Sequence, residues 1–127
     1  MSIDSKEDLD GILAVGRLVA DTMRHMVTSI RAGMTTLELD QIGRRYFEER
    51  GGRSAPELTY LFPGATCIGV NEEAAHGIPG SRILEKGDVI NVDSRIERVF
   101  RRHGLYYIYR TRLCRYAAPY RYEPLCA

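Results

Sequence analysis

Residues Cys67–Asp93, CIGVNEEAAHGIPGSRILEKGDVINVD, decide how the rest of the chain is read. The stretch reads as a strand, an acidic turn, one His in a Gly/Pro-rich loop, a Gly-Asp turn, and a second strand that ends on a carboxylate. Gly77 and Pro79 follow His76 closely and argue against a helix there. Asp88-Val-Ile-Asn-Val-Asp93 is an apolar β-type run, with Asn91 and Asp93 on one face and Val92 on the other. A carboxylate at the end of a buried strand is costly unless it is paired or bound to a cation. Asp93 is therefore a candidate metal ligand. Taken alone, His76 would be read as structural. Glu72 and Glu73 read as a solvated turn.

Upstream, Ser5 is the expected N-cap of a long helix, with Glu7 and Asp8 in its first turn. Apolar residues recur at Leu9, Ile12, Leu13, Val19, Ala20, Met23, Val27 and Ile30, a helical spacing that Ala32-Gly33 ends. Met23 and Met26 read as core, and His25 as a surface or boundary residue. A second helix is expected from an N-cap at Thr36, burying Leu37, Leu39, Ile42, Tyr46 and Phe47. Asp40, Arg44, Arg45, Glu48 and Glu49 are its expected wet face, with Asp40–Arg44 as an i,i+4 pair. Gly51-Gly52 stops it. Pro56 to Cys67 reads as extended, broken by Pro63-Gly64, with Tyr60 and Phe62 alternating in a strand-like run.

At 127 residues the chain is one domain at most. Its net charge of +1 hides an asymmetry. Residues 1–93 carry 10 Lys/Arg against 15 Asp/Glu, whereas residues 94–127 carry 8 Arg against 2 Glu and hold 6 of the 8 Tyr. Three cysteines, with no CxxC, suggest neither a disulfide framework nor a zinc-thiolate site. The acidic opening MSIDSKEDLDG is wrong for a signal peptide. No apolar run approaches membrane-spanning length. A cytoplasmic location and no membrane partner are expected.

The ordered motifs Cys67-Ile-Gly-Val-Asn-Glu-Glu, His76-Gly-Ile-Pro and Gly87-Asp-Val-Ile-Asn-Val-Asp93, with Ala55-Pro-Glu-Leu-Thr-Tyr-Leu-Phe-Pro-Gly-Ala-Thr before them, resemble the type I methionine aminopeptidases. The resemblance covers about residues 5–93. It implies an α/β (α+β) pita-bread fold, of which this chain carries the N-terminal half: helices packed on a curved antiparallel sheet. The implied activity is removal of the initiator methionine by a water held between two divalent cations (cobalt, manganese, iron or zinc). The implied partners are peptides with N-terminal Met and nascent chains at the ribosome. Asp93 would be the first of five metal ligands. His76 would be catalytic without binding metal, hydrogen-bonding the substrate beside the scissile peptide. Phe62 and Cys67 would line the pocket for the methionine side chain, which apolar surface and a soft sulfur suit, and Tyr60 is a further substrate-binding candidate.

The resemblance stops at Asp93, where the family pattern continues Val-Ser-x-x-x-Asn-Gly-aromatic-aromatic-Ala-Asp-Thr-Gly. This chain has Ser94-Arg-Ile-Glu-Arg-Val-Phe-Arg-Arg-His-Gly104 and no later Asp. Codons permitted for Ser94 to Leu105 can be read one base later as Leu-Glu-Leu-Asn-Gly-Phe-Phe-Ala-Asp-Thr-Gly, so an altered reading frame is the favoured explanation. The expectation is a domain over residues 1–93 and a disordered Arg/Tyr-rich tail over 94–127. With one family carboxylate, the chain is expected to bind the cation pair poorly and to be inactive alone. Two other readings stand beside this one: a catalytically dead pita-bread binding module, and a nucleic-acid binder acting through the basic tail. The scattered arginines follow no known module and argue against the second.

Overall fold

The computed structural model of the chain describes residues 3–73, 75–99, 105–117 and 121–124. Helix α1 spans Lys6–Ser29 and α2 Thr36–Glu48. Strand β1 (Arg53–Ser54) leads directly into a short helix, α3 (Ala55–Tyr60). Four more strands follow: β2 (Cys67–Val70), β3 (Val89–Val99), β4 (Leu105–Ala117) and β5 (Arg121–Pro124). All pairings are antiparallel. β3 is the central strand. β1 and β2 lie end to end along one of its edges, and β4 then β5 continue the sheet from the other.

Strand alternation divides the chemistry of the molecule. On β3, Ile90, Val92, Ser94 and Ile96 turn to one side, and Asn91, Asp93, Arg95 and Glu97 to the other. The antiparallel register places Ile68 opposite Val92 and Val70 opposite Ile90. These apolar side chains meet α1 and α2 in a single core: Val15, Leu18, Val19, Met23, Met26, Leu39 and Phe47 pack with Ile68, Val70, Ile90, Val92 and Ile96. The helices therefore cover one face of the sheet. Cys67 lies opposite Asp93 on the other face.

The long helix begins as expected, with the Ser5 hydroxyl accepting from the Asp8 amide. Met23 and Met26 are fully buried, and His25 is exposed and stacks on Tyr46 with ring centroids 4.6 Å apart. Leu9, Leu13 and Leu37 are instead exposed. The second helix is capped one residue earlier than expected. Thr35 accepts from the Glu38 amide, and the Glu38 carboxylate accepts from the Thr35 amide at 2.6 Å, a reciprocal capping box.

Two further expectations are corrected. Residues 55–60 form α3 rather than an extended run. Ser54 caps it by accepting from the Glu57 amide, and Pro56 sits in its first turn. Asp40 does not face water or pair with Arg44; it is buried, and Arg44 pairs instead with Glu57 and Glu48. β3 runs on to Val99, and β4 and β5 follow it. Tyr, Ile and Thr in this segment are residues that strands favour, even without strict apolar alternation. Among the described residues, no helix is long and apolar enough to cross a membrane.

Candidate functional site

The five residues singled out by sequence come together. A pocket of about 330 Å³ on the sheet face away from α1 and α2 is lined by Pro56, Tyr60, Phe62, Cys67, His76, Asp93 and Arg95. Its walls come from four pieces of chain. β2 and β3 supply the floor through the cross-strand pair Cys67↔Asp93 and through Arg95. The end of α3 and the turn after it supply Pro56, Tyr60 and Phe62. The His-Gly-Ile-Pro loop supplies His76.

Each piece is held in place by local chemistry. The loop lies against the outer edge of β2, where the Ile68 amide donates to the Gly77 carbonyl at 2.8 Å. A β-carbon on Gly77 would lie 2.2 Å from the Ile68 carbonyl oxygen, so only glycine allows this approach. His76 itself adopts φ 55°, a left-handed conformation uncommon outside glycine and more accessible to His than to most residues. Leu61, between Tyr60 and Phe62, is also left-handed at φ 53°. Of the three non-glycine residues with positive φ among the described residues, His76 lines the pocket and Leu61 lies between two residues that do. Backbone strain of this kind tends to gather at functional sites. Pro79, after the loop, is buried against Gly64.

The approach to Cys67 is fixed from beneath. The buried Asp40 carboxylate accepts from the amides of Ala65 and Thr66 at 3.2 and 2.7 Å, and from the Thr66 hydroxyl at 2.7 Å. These three hydrogen bonds lock the residues just before β2. Sequence reasoning put Asp40 on the wet face. Its role depends on a segment 25 residues away and left no local mark.

Cys67 is a buried free thiol. Its Sγ lies 4.0 Å from Nδ1 of His76. Burial, with the nearby carboxylates of Asp93 and Asp40 adding to it, pushes the thiol up to about 11. At neutral pH it is a neutral, polarisable wall and not a nucleophile. Asp93 is buried and faces Cys67. His76 is exposed at the pocket mouth. Tyr60 is 66 % exposed and forms the rim, not a core contact in the sheet. Arg95 sits beside it, with its guanidinium 6.0 Å from the Tyr60 ring centroid and Nη1 3.5 Å from the Tyr60 hydroxyl. Sequence reasoning missed Pro56 and Arg95. Arg95 was legible in principle, since it is two residues from Asp93 on the same strand and must share its face.

Such a pocket suits a small apolar side chain, with polar groups at one end to fix the orientation of its carrier. Residues 10–109 match the model of metallopeptidase family M24. The chain belongs to that family. Methionine aminopeptidase 2 of Bacillus subtilis is 45% identical over 98 residues, covering 76% of this chain and 39% of that protein. The methionine aminopeptidase structures from Thermotoga maritima and Rickettsia prowazekii superpose with TM-scores of 0.79 and 0.77. Their identities are 21% and 24%, covering 92% and 94% of this chain and 45% and 46% of theirs. These M24 structures establish the fold as part of a pita-bread domain, and the likeness to the type I methionine aminopeptidases read from the motifs holds. The chain spans less than half the length of these relatives. The M24 match also runs past Asp93, where the motif resemblance had been placed to end.

The family name implies a metal. Asp93 is a suitable hard ligand. Among the described residues, however, no group of three or more His, Cys, Asp or Glu could hold a metal ion. The described side chains therefore do not fit a two-cation centre.

Proposed function

We propose that this chain carries the substrate-recognition part of a methionine aminopeptidase site. Phe62, Cys67 and Tyr60 take the methionine side chain. His76, at the mouth, donates a hydrogen bond to the first peptide group of the substrate. The ligands are peptides with N-terminal Met, including nascent chains at the ribosome, which puts the chain in the cytoplasm. Asp93 would be one ligand in a cation site whose other ligands lie outside the described residues, and catalysis is not assigned to the chain acting alone.

The observation that carries this reading is the convergence of Tyr60, Phe62, Cys67, His76 and Asp93, from four separate segments, on one pocket. A neutral thiol facing aromatic and proline surface is a good receptor for a flexible thioether. Calorimetric titration of the 127-residue chain with Met-Ala-Ser and Asp-Ala-Ser provides the test. Preferential binding of the methionyl peptide, weakened by Phe62→Ala, supports the assignment. Equal binding of the two peptides, or none, would remove it.

A further inference from the structure

Thr36, Asp40 and Arg44 recur every four residues along α2 and so form one stripe on the helix. Beside it runs the apolar stripe of Leu39 and Phe47 that enters the core. Each of the three polar side chains reaches a different segment of the pocket wall. The Thr36 hydroxyl accepts from the Gly80 amide at 2.9 Å and donates to the Gly80 carbonyl at 3.1 Å. Gly80 ends the loop that carries His76. Asp40 holds Ala65 and Thr66, the two residues before Cys67. Arg44 makes a two-pronged pair with Glu57: Nη1 donates to Oε2 at 2.9 Å, and Nη2 donates to Oε1. Glu57 follows Pro56 in α3, the helix that carries Tyr60. The Ser54 hydroxyl joins the last two links, since it accepts from the Glu57 amide and donates to the Ala65 carbonyl at 2.9 Å. Thr36, Asp40 and Ser54 are all buried.

The two stripes do different work. Apolar burial depends on area and is non-directional, so Leu39 and Phe47 attach α2 without fixing where its neighbours stand. A hydrogen bond weakens steeply as its angle closes, and a guanidinium–carboxylate fork adds a fixed plane. The polar stripe therefore sets distance and direction for each segment that it holds.

We propose that Thr36, Asp40 and Arg44 are positioning residues of the pocket. The first sets the His76 loop, the second sets Cys67, and the third sets α3 with Pro56 and Tyr60. None of the three lines the pocket, so they act through the residues that do. The inference rests on this pocket being the site of the proposed function, and it adds that the shape of the site is set from α2, one wall at a time.

The test is NMR of the whole chain without ligand, reading the walls through the His76 ring, the Cys67 Cβ and the Tyr60 ring. Thr36→Val should shift the His76 signals more than the other two, and Thr36→Ser, which keeps the hydroxyl, should leave them in place. Asp40→Asn should chiefly shift the Cys67 signal. Thr66→Val removes one bond of the same link and reads it if Asp40→Asn does not fold. Arg44→Gln should chiefly shift the Tyr60 ring, and Arg44→Lys, which cannot copy the fork, should shift it by less. If the substitutions shift all three reporters alike, α2 is only a packing surface and the inference is wrong. If none shifts its own wall, or Thr36→Ser moves the loop as far as Thr36→Val, the walls are held elsewhere and the inference is overturned. The peptide titration is read separately. Its failure with these shifts intact removes the methionyl ligand and leaves the positioning, and the converse removes the positioning alone.

Discussion

Cys67 and Ser94 lie on opposite faces of the sheet, and each carries a cost that can be measured. The Cys67 thiol is pushed from its ordinary 9.0 to about 11, chiefly by burial. The folded protein holds this proton more tightly than the unfolded chain. The associated stability is whole below about pH 9 and is lost as pH rises toward 11, an effect of roughly 2–3 kcal/mol. Urea unfolding followed from pH 8 to pH 10.5 should therefore show a falling midpoint, and the fall should be shallower in Cys67→Ala. An equal fall in both proteins would mean that the thiol is not the group responsible. Ser94 faces the helices, 1 % exposed, and its hydroxyl has no hydrogen-bond partner among the described residues. A buried hydroxyl without a partner costs free energy, and a methyl would fill the same space with favourable contacts. Ser94→Val should stabilise the chain by roughly 1–2 kcal/mol, seen as a higher urea midpoint at unchanged slope.

At the scale of elements, the His76 loop and strand β2 behave as one unit. Gly77 is the point of contact. A β-carbon there would meet the Ile68 carbonyl oxygen at 2.2 Å and the Gly69 Cα at 2.6 Å, both backbone atoms that cannot swing aside. Gly77→Ala should therefore push the loop off β2, destabilise the chain by roughly 2–3 kcal/mol and weaken ligand binding. Proton NMR of the His76 ring should report the displacement directly. By contrast, a β-carbon on Gly43 would meet only the flexible Met26 side chain, at 2.4 Å from its sulfur, which can rotate away. Alanine at position 43 should be tolerated better than at 77, and thermal melts of the two variants compare them directly.

The whole molecule presents one pocket face built on β2, β3 and the end of α3, with the opposite face covered by α1 and α2. Catalysis by an M24 enzyme needs a cation site, and the described residues contribute one carboxylate, Asp93, to that pocket. The chain alone should not hydrolyse Met-Ala-Ser in the presence of added cobalt or manganese. Release of free methionine by the purified chain, abolished in Asp93→Ala, would show that the remaining ligands are present after all.

Sequence alone determined what depends on short-range pattern. Helical spacing marked α1 and α2, Ser5 marked a cap, and the β-type run Asp88–Asp93 put Asp93 and Val92 on opposite faces. The ordered motifs from Ala55 to Asp93 pointed to all five candidate site residues. Tertiary structure decided what depends on partners distant in the chain. Asp40 looks like a surface charge in its own helix, and only the donors of Ala65 and Thr66 make it a buried anchor. Leu9 and Leu13 match an apolar stripe, yet both are exposed in the folded chain. Residues 55–60 carry a capped helix inside what reads as an extended run, because Ser54 and Glu57 complete the cap once β1 fixes Ser54 against β3. Arg95 became part of the pocket when β2, β3 and the end of α3 closed around it. Local backbone preference acts over a few residues and is written in them. Burial and charge environment are properties of the assembled chain, and they appear only when it folds.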